Sequence, residues 1–583
     1  MRFGIFYEHQ LPRPWEEGAE RKLISDALDQ VELADRVGFD YVWEVEHHFL
    51  EEYSHSSASD VFLGAASQRS QTIRLGFGIL PLPPGYQHPA RVAEKVAMLD
   101  LVSGGRVELG TGETSSGAEL GGFGVDRETK REQWREALDV VTRMFVEEPF
   151  AGHDGRFVTM PVRNVVPKPV QKPHPPLWVA CSRRETIRLA AEQGIGALSF
   201  SFVEPEAAKE WVDEYYAIIE SEACVPAGFA VNPNFAVVLP MMCHPDEATA
   251  IERGIDGAHF FGYSLAHYYV FGDHRPGHTD IWQEFLERRD EAGFARDIVT
   301  PDQAPLGVKI MQEGLGSLRG AIGTPEQISD LVRRYEAAGV DQVIFVSQCG
   351  KNRHEHICES LELLGAEVLP QFAPGADAIE TAKGERLAPA VAAALARRDP
   401  PRVADPGVVI GPGESGPPPA RTGAGAERNG SPGRAADGRP SLAARIEERG
   451  EAAFGAFVGR SDDRRLERTA GSEAGLRLIF GGMARRFVPA KAQGFEGDVV
   501  YELTGTGPPR PWTLSIRAGR ATARPGPAPG AALTITVGTA DFVRLIARDL
   551  DPGKALMQGR LTFSGDFALA TRLGEMFGQP SPY

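Results

Sequence analysis

Short apolar runs alternate with longer stretches of helical spacing up to about Pro370. The first run, RFGIF (2–6), predicts a strand. Residues 21–37 then place Leu23, Ala27, Leu28, Val31, Ala34 and Val37 at helical intervals, and Gly38 ends the pattern. FDYVWEVE (39–46) predicts a second strand, SDVFLGAASQRS (59–70) a helix, and IRLGFGILPL (73–82) a third strand. ARVAEKVAMLDLVS (90–103) predicts a helix stopped by Gly104 and Gly105, and RVELGTG (106–112) a fourth strand. LWVACS (177–182), GALSFSF (196–202), FAVVLPMM (235–242) and QVIFVSQ (342–348) continue the rhythm. Alternation of this kind builds a parallel sheet, and about 370 residues suit a (β/α)8 TIM barrel with insertions.

The pattern fails between 371 and 440, where Ala, Gly and Pro dominate around GPGESGPPPA. The composition predicts a disordered linker, with LAPAVAAALARR (387–398) as a short helix inside it. Order returns in 441–583. Amphipathic helical patterns over 442–458 and 475–489 precede strand patterns at 498–505, 512–519, 521–526 and 532–538. A helical pattern at 539–550 and a last strand at 559–566 follow, so this segment is predicted as a small α+β domain.

Composition narrows the function. The net charge is −18, with the acidic excess before residue 370, so a general nucleic-acid partner is excluded. No run of about 18 apolar residues predicts a membrane span. The five cysteines form no CxxC pair and the chain opens without a leader-like pattern, which makes a reducing cytoplasm the expectation. His259, His267, His274 and His278 lack the spacing of a metal site, so no metal is expected.

The densest chemistry is EVEHHF (44–49), at the end of the second predicted strand. Adjacent strand residues point to opposite faces, so one of His47 and His48 enters a barrel-mouth pocket while the other is structural; a surface or capping pair is the competing reading. EHHF, IRLGFGILPLPPGYQHP, ARVAEKVAMLD and LVSGGRVELGTG occur in series. Together they resemble the bacterial luciferase-like family of flavin-dependent monooxygenases, from Met1 to about Pro370.

The resemblance implies a barrel that binds reduced FMN at its C-terminal mouth, uses O2 on a small apolar organic substrate, and receives its flavin from a separate reductase. Deazaflavin F420 is the alternative cofactor, and a homodimer through barrel helices is implied. On this resemblance His47 is the catalytic proton-handling group. Phe6, Gly78, Ile79 and Thr111 belong to the flavin site, with a bulge and a non-prolyl cis peptide at Gly78–Ile79; close helix–strand packing is the other reading of the glycines. Ser182, Arg183 and Arg184 open the phosphate-binding turn, unless the two arginines are merely solvated. Glu113 stands where luciferase has a phosphate-gripping arginine, and a carboxylate there would repel the phosphate. His48, Glu113, Phe260 and Tyr263 are the expected substrate-pocket residues. No GxGxxG dinucleotide fingerprint is present.

Residues 442–579 resemble the sterol carrier protein 2 domain through GDVVYELTG, ALTITVGTADFVRLI and LMQGRLTFSGDFALATRLGEMF. That resemblance implies a lipid ligand; ordinary core packing accounts for the same apolar faces. A lipid carrier with a catalytically degenerate barrel is the remaining alternative for the whole chain.

Overall fold

The computed structural model describes residues 1–200, 204–289, 320–411 and most of 458–577. It forms two units, Met1–Gly423 and Ala424–Tyr583.

In the first unit eight parallel strands close on themselves. They are β1 (Arg2–Tyr7), β2 (Tyr41–Glu44), β3 (Arg74–Pro81), β4 (Val107–Gly112), β5 (Leu177–Cys181), β6 (Gly196–Ser199), β7 (Phe235–Cys243) and β8 (Gln342–Gln348). β8 pairs with β1, Gln342 opposite Arg2, and β6 pairs with β7, so the ring has no open edge. The connecting helices are α1 (Ala19–Val37), α2 (Ser59–Arg69), α3 (Pro89–Ser103), α4 (Gly117–Phe123), α5 (Lys130–Val146), α6 (Arg184–Glu192) and α7 (Pro205–Ile219). They continue with α8 (Glu247–Ala266), α9 (Ile281–Arg288), α10 (Pro325–Ala337) and α11 (His354–Leu363).

The period-two alternation splits each strand between two cores. Phe3, Ile5, Tyr7, Leu75, Phe77, Val107 and Leu109 pack under the helices. Phe6, Trp43, Val45, Trp178, Leu198, Val238 and Ile344 fill the lumen. Both faces are buried, which is why the strands are almost continuously apolar. Gly76 is required here: a Cβ would lie 2.2 Å from the Trp43 ring.

One expectation is corrected after residue 370. The segment read as linker begins with a 25-residue helix, α12 (Ala373–Arg397). Its buried side chains, Ala376, Leu387 and Ala394, recur at helical intervals on one face. Alanine, although common in linkers, is also the strongest helix former. Arg2 on β1 anchors the helix to Asp377 at 2.5 Å and Glu380 at 2.8 Å, and Lys383 reaches Asp341 at 2.7 Å. Most of the remaining predicted linker lies outside the described residues.

The second unit has helices α13 (Asp463–Arg468), α14 (Glu473–Arg485) and α15 (Thr539–Ile546). Its sheet is ordered β11–β10–β9–β12–β13, from β9 (Gly497–Thr504), β10 (Arg510–Arg517), β11 (Arg520–Pro525), β12 (Leu533–Gly538) and β13 (Leu561–Gly565). Only β9 and β12 run parallel. Phe480 of α14 stacks on Trp512 at 4.8 Å and on Phe542 at 4.9 Å, joining helices to sheet. The predicted helix over 442–458 lies outside the described residues, except for its end. Among the described residues no helix is long and apolar enough to cross a membrane.

Candidate active site at the barrel mouth

Three segments converge just beyond the strand C-termini. Glu8 follows β1 on the lumen side, two residues after Phe6; His47 follows β2; Thr114 and Glu119 follow β4. His47 Nδ1 lies 3.0 Å from Glu119 Oε1, which also accepts the His48 backbone N–H at 3.0 Å. The Thr114 hydroxyl donates to the other Glu119 oxygen at 2.6 Å. On the far side of the ring, His47 Nε2 lies 3.7 Å from Glu8 Oε2. Tyr53 donates to Glu8 Oε1 at 2.9 Å, while Glu8 Oε2 is buried with no hydrogen-bond partner.

This carboxylate–imidazole–carboxylate line has strongly displaced proton affinities. Burial lifts Glu8 to about 7, only partly offset by His47 and the Tyr53 hydroxyl. Burial opposes the imidazolium of His47, but the charges of Glu119 and Glu8 outweigh it and raise the group to about 9. Burial likewise opposes ionisation of Glu119, yet His47 and two further hydrogen bonds hold it below the ordinary carboxyl range. Burial and the two carboxylates keep the phenols of Tyr53 and Tyr269 protonated. The site therefore holds a fixed imidazolium beside a carboxyl poised near neutrality, which suits acid–base work. His47 keeps 13% of its side chain exposed, so the line is reachable from the mouth.

His48 turns the other way. Its ring packs on Phe123 at 4.8 Å, with Nε2 3.6 Å from Glu46. Gly78 approaches Phe6 and Trp43, and Ile79 lies over Gly112. The β3–β4 register shifts between Phe77 and Leu80, so the expected bulge is present. The expected cis bond is not: Gly78–Ile79 is trans, and the cis bonds among the described residues precede prolines, as at Arg13–Pro14 and Glu148–Pro149. The bulge alone absorbs the extra residue.

Thr111 is also corrected. It shares the helix-facing parity of Val107 and Leu109, and its hydroxyl accepts from Trp134 Nε1 and donates to the Trp178 carbonyl, both at 3.1 Å. It therefore faces α5 rather than the lumen. Phe260 and Tyr263 pack against α9, Phe260 on Trp282 at 4.9 Å and Tyr263 on Phe285 at 5.5 Å. Phe261, turned about 100° from Phe260 by the helix, is the ring that meets Tyr53, at 5.8 Å.

The turn after β5 leaves Ser182 and Arg183 exposed at the start of α6. Arg184 is bound to Glu214 of α7 at 2.6 Å, so its charge is spent on the helix layer and not on the mouth. Glu113 is ion-paired with Arg131 at 3.2 Å and Lys130 at 3.8 Å. Arg127 and Arg183 stand close enough to press on the charge of Lys130. The carboxylate expected to repel phosphate thus stands among Arg127, Lys130, Arg131 and Arg183; Arg131 also binds Glu185 at 2.6 Å, so four cations face two carboxylates. These basic groups fit an anionic cofactor tail, and the orphaned Glu8 oxygen with the apolar Phe6–Ile79 wall fits a polar-edged ring system at the mouth. Sequence reasoning missed Glu8, Glu119, Tyr53, Lys130 and Arg131. The parity linking Phe6 to Glu8 was the available signal; the charges of DRETKRE balance, three against three, so Lys130 and Arg131 gave none.

Comparison with known proteins places this geometry. Residues 486–578 match the SCP-2 sterol transfer family. The oxygenase component of flavin-dependent trigonelline monooxygenase from Acinetobacter baylyi is 25% identical over 378 residues, 64% of this chain and 96% of that protein. Limonene 1,2-monooxygenase from Rhodococcus erythropolis is 36% identical over 125 residues, 21% of this chain and 32% of that one. A monooxygenase from Streptomyces bottropensis has the same fold, with TM-score 0.50 and 22% identity, covering 64% of this chain and all of that one. Residues 1–342 match the model of the luciferase-like monooxygenases, and the chain belongs to that family.

Proposed function

We propose that the barrel uses reduced FMN and O2 to oxidise an apolar organic substrate. The Glu8–His47–Glu119 line beside a cation cluster is the observation that carries this reading. Arg127, Lys130, Arg131 and Arg183 would hold the phosphate, with Ser182 at the same turn; Phe6, Gly78 and Ile79 would wall the ring. Reduced flavin, when bound, supplies the two electrons that let one oxygen atom enter the substrate while the other leaves as water. The protein's own task is proton control. Glu119 and Thr114 fix the ring orientation of His47, His47 keeps a proton on Nε2 facing the mouth, and Glu8 accepts or returns one near neutral pH. The apolar lumen excludes water and favours an apolar substrate. The similarity to an oxygenase component supports a separate reductase as the flavin source.

The second unit is proposed to bind an apolar lipid, supported by its match to a sterol transfer family. Exposed apolar side chains on α2 and α3 support a homodimer.

The cofactor assignment is tested by equilibrium binding of reduced FMN, reduced riboflavin and reduced F420 to the full chain, followed by O2 uptake. Reduced FMN is expected to bind at least tenfold more tightly than reduced riboflavin, because only FMN reaches the cation cluster. Tighter binding of reduced F420 than of FMN would replace the monooxygenase reading by a deazaflavin oxidoreductase.

A further inference from the structure

At the end of the barrel opposite His47, α12 roofs a chamber of about 140 Å³. Tyr41, Trp178, Gln342, Ala376, Ile379 and Lys383 line it. We propose that this chamber is a second binding site, for an uncharged single-ring heterocycle with an amide or lactam edge.

The side chain that points to a ligand is Gln342, at the start of β8. It is 2% exposed, and neither its carbonyl oxygen nor its amide nitrogen has a hydrogen-bond partner. A buried carboxamide with both groups unpaired is costly, and natural proteins rarely keep one without use. One donor group and one acceptor, both of Gln342, are thereby left unpaired at the chamber wall. A lactam or carboxamide edge presents the matching acceptor and donor.

Size and charge fix the rest. A cavity near 150 Å³ takes a benzene-sized ring. Tyr41, stacked over Trp43 at 6.0 Å, and Trp178, edge-on to Trp43 at 5.3 Å, offer aromatic surface for it. The charged groups at the rim are already matched: Arg2 with Asp377 and Glu380, and Lys383 with Asp341. A charged ligand would break those pairs, so the ligand is neutral. The roofing helix lies beyond residues 1–342 matched by the family model, so the chamber is completed by a segment outside that match.

The test is calorimetric titration of the full chain with uracil, nicotinamide and toluene, repeated on Gln342→Met. Saturable binding of uracil identifies a ring lactam, and of nicotinamide an exocyclic amide; either supports the site. Toluene is expected to bind at least tenfold more weakly than the better of the two. FMN is expected not to compete. Gln342→Met should lose at least tenfold in affinity while the unliganded melting temperature rises, because the near-isosteric apolar side chain removes the unpaired amide. Absence of saturable binding by both amide probes, equal binding of toluene, competition by FMN, unchanged affinity in Gln342→Met, or a lower melting temperature in that variant would each overturn the proposal.

Discussion

Glu8 shows how one buried carboxyl links function to stability. Its folded value of about 7 lies above the ordinary carboxyl range, so the native state keeps this proton to higher pH than the unfolded chain does. Stability from this group is therefore greatest at acid pH and is lost as pH rises from the ordinary carboxyl range through about 7. Glu8→Gln cannot ionise. It is expected to be more stable than the parent at pH 8, with the gain shrinking at pH 5, measured as urea midpoints. Its turnover should fall by roughly 10²-fold, and the acid limb near pH 7 should vanish, because the proton acceptor is gone. An unchanged limb would remove Glu8 from proton transfer. At this scale the sequence was legible where strand parity applied with certainty. His47 and His48 do diverge, as adjacent strand-end residues must. Thr111 was placed at the flavin by resemblance and not by parity; its parity with Leu109 turns it to the helix layer, where it meets Trp134. Phe260 was one helical step from Phe261, an error that an aromatic-rich run without polar contrast cannot prevent.

Among the elements, α12 carries the greatest difference between sequence and structure. Lys383 holds it through Nζ, which donates to Asp341 at 2.7 Å, to Asn234 at 2.5 Å and to the Pro233 carbonyl at 3.1 Å. Asp341 also accepts from Tyr216 and from the Phe235 backbone, so this one cluster joins α12 to α7 and the start of β7. Lys383→Met is expected to lower stability by about 2 kcal/mol, the cost of a lost charged hydrogen-bond set with its acceptors left mostly buried. Urea unfolding of the full chain monitored by tryptophan fluorescence measures this, and a change under about 0.5 kcal/mol would show that the Lys383 cluster does not hold the helix. The eight strands were all legible, because buried parallel strands are short apolar runs bounded by glycine and polar turns. The helix was legible only in its C-terminal part, the short helix read over 387–398; its first half was not, because Gly375 and Gly384 are breakers by local propensity. Its anchoring comes instead from tertiary contacts, the buried Ala376, Leu387 and Ala394 and the mostly buried Lys383–Asp341 pair, with Arg2 adding exposed ion pairs. The cation cluster escaped for a related reason: Lys130 and Arg131 open α5, and only tertiary folding brings them to Glu113.

For the whole molecule, the surface of α2 and α3 is the feature that an isolated chain does not explain. Val61 is 70% exposed, Met98 52%, Leu101 44% and Val102 49%, on two helices that pack side by side. Monomeric proteins seldom place several large apolar side chains together in water, and a twofold pairing would bury this face against its own copy. Salt bridges are not needed to hold such a pair, since the acidic excess of the chain, −18 overall, disfavours self-association unless apolar burial outweighs it. Light scattering should then give a mass near twice 63.2 kDa at micromolar concentration, with the dimer tightening as added salt screens the like charges. Met98→Glu puts a charge into the centre of the face and is expected to return the protein to a single-chain mass. Flavin affinity should stay unchanged, because α3 borders the outer core and not the Glu8–His47–Glu119 line. A parent protein already of single-chain mass would leave the apolar face without a second copy and end the dimer proposal.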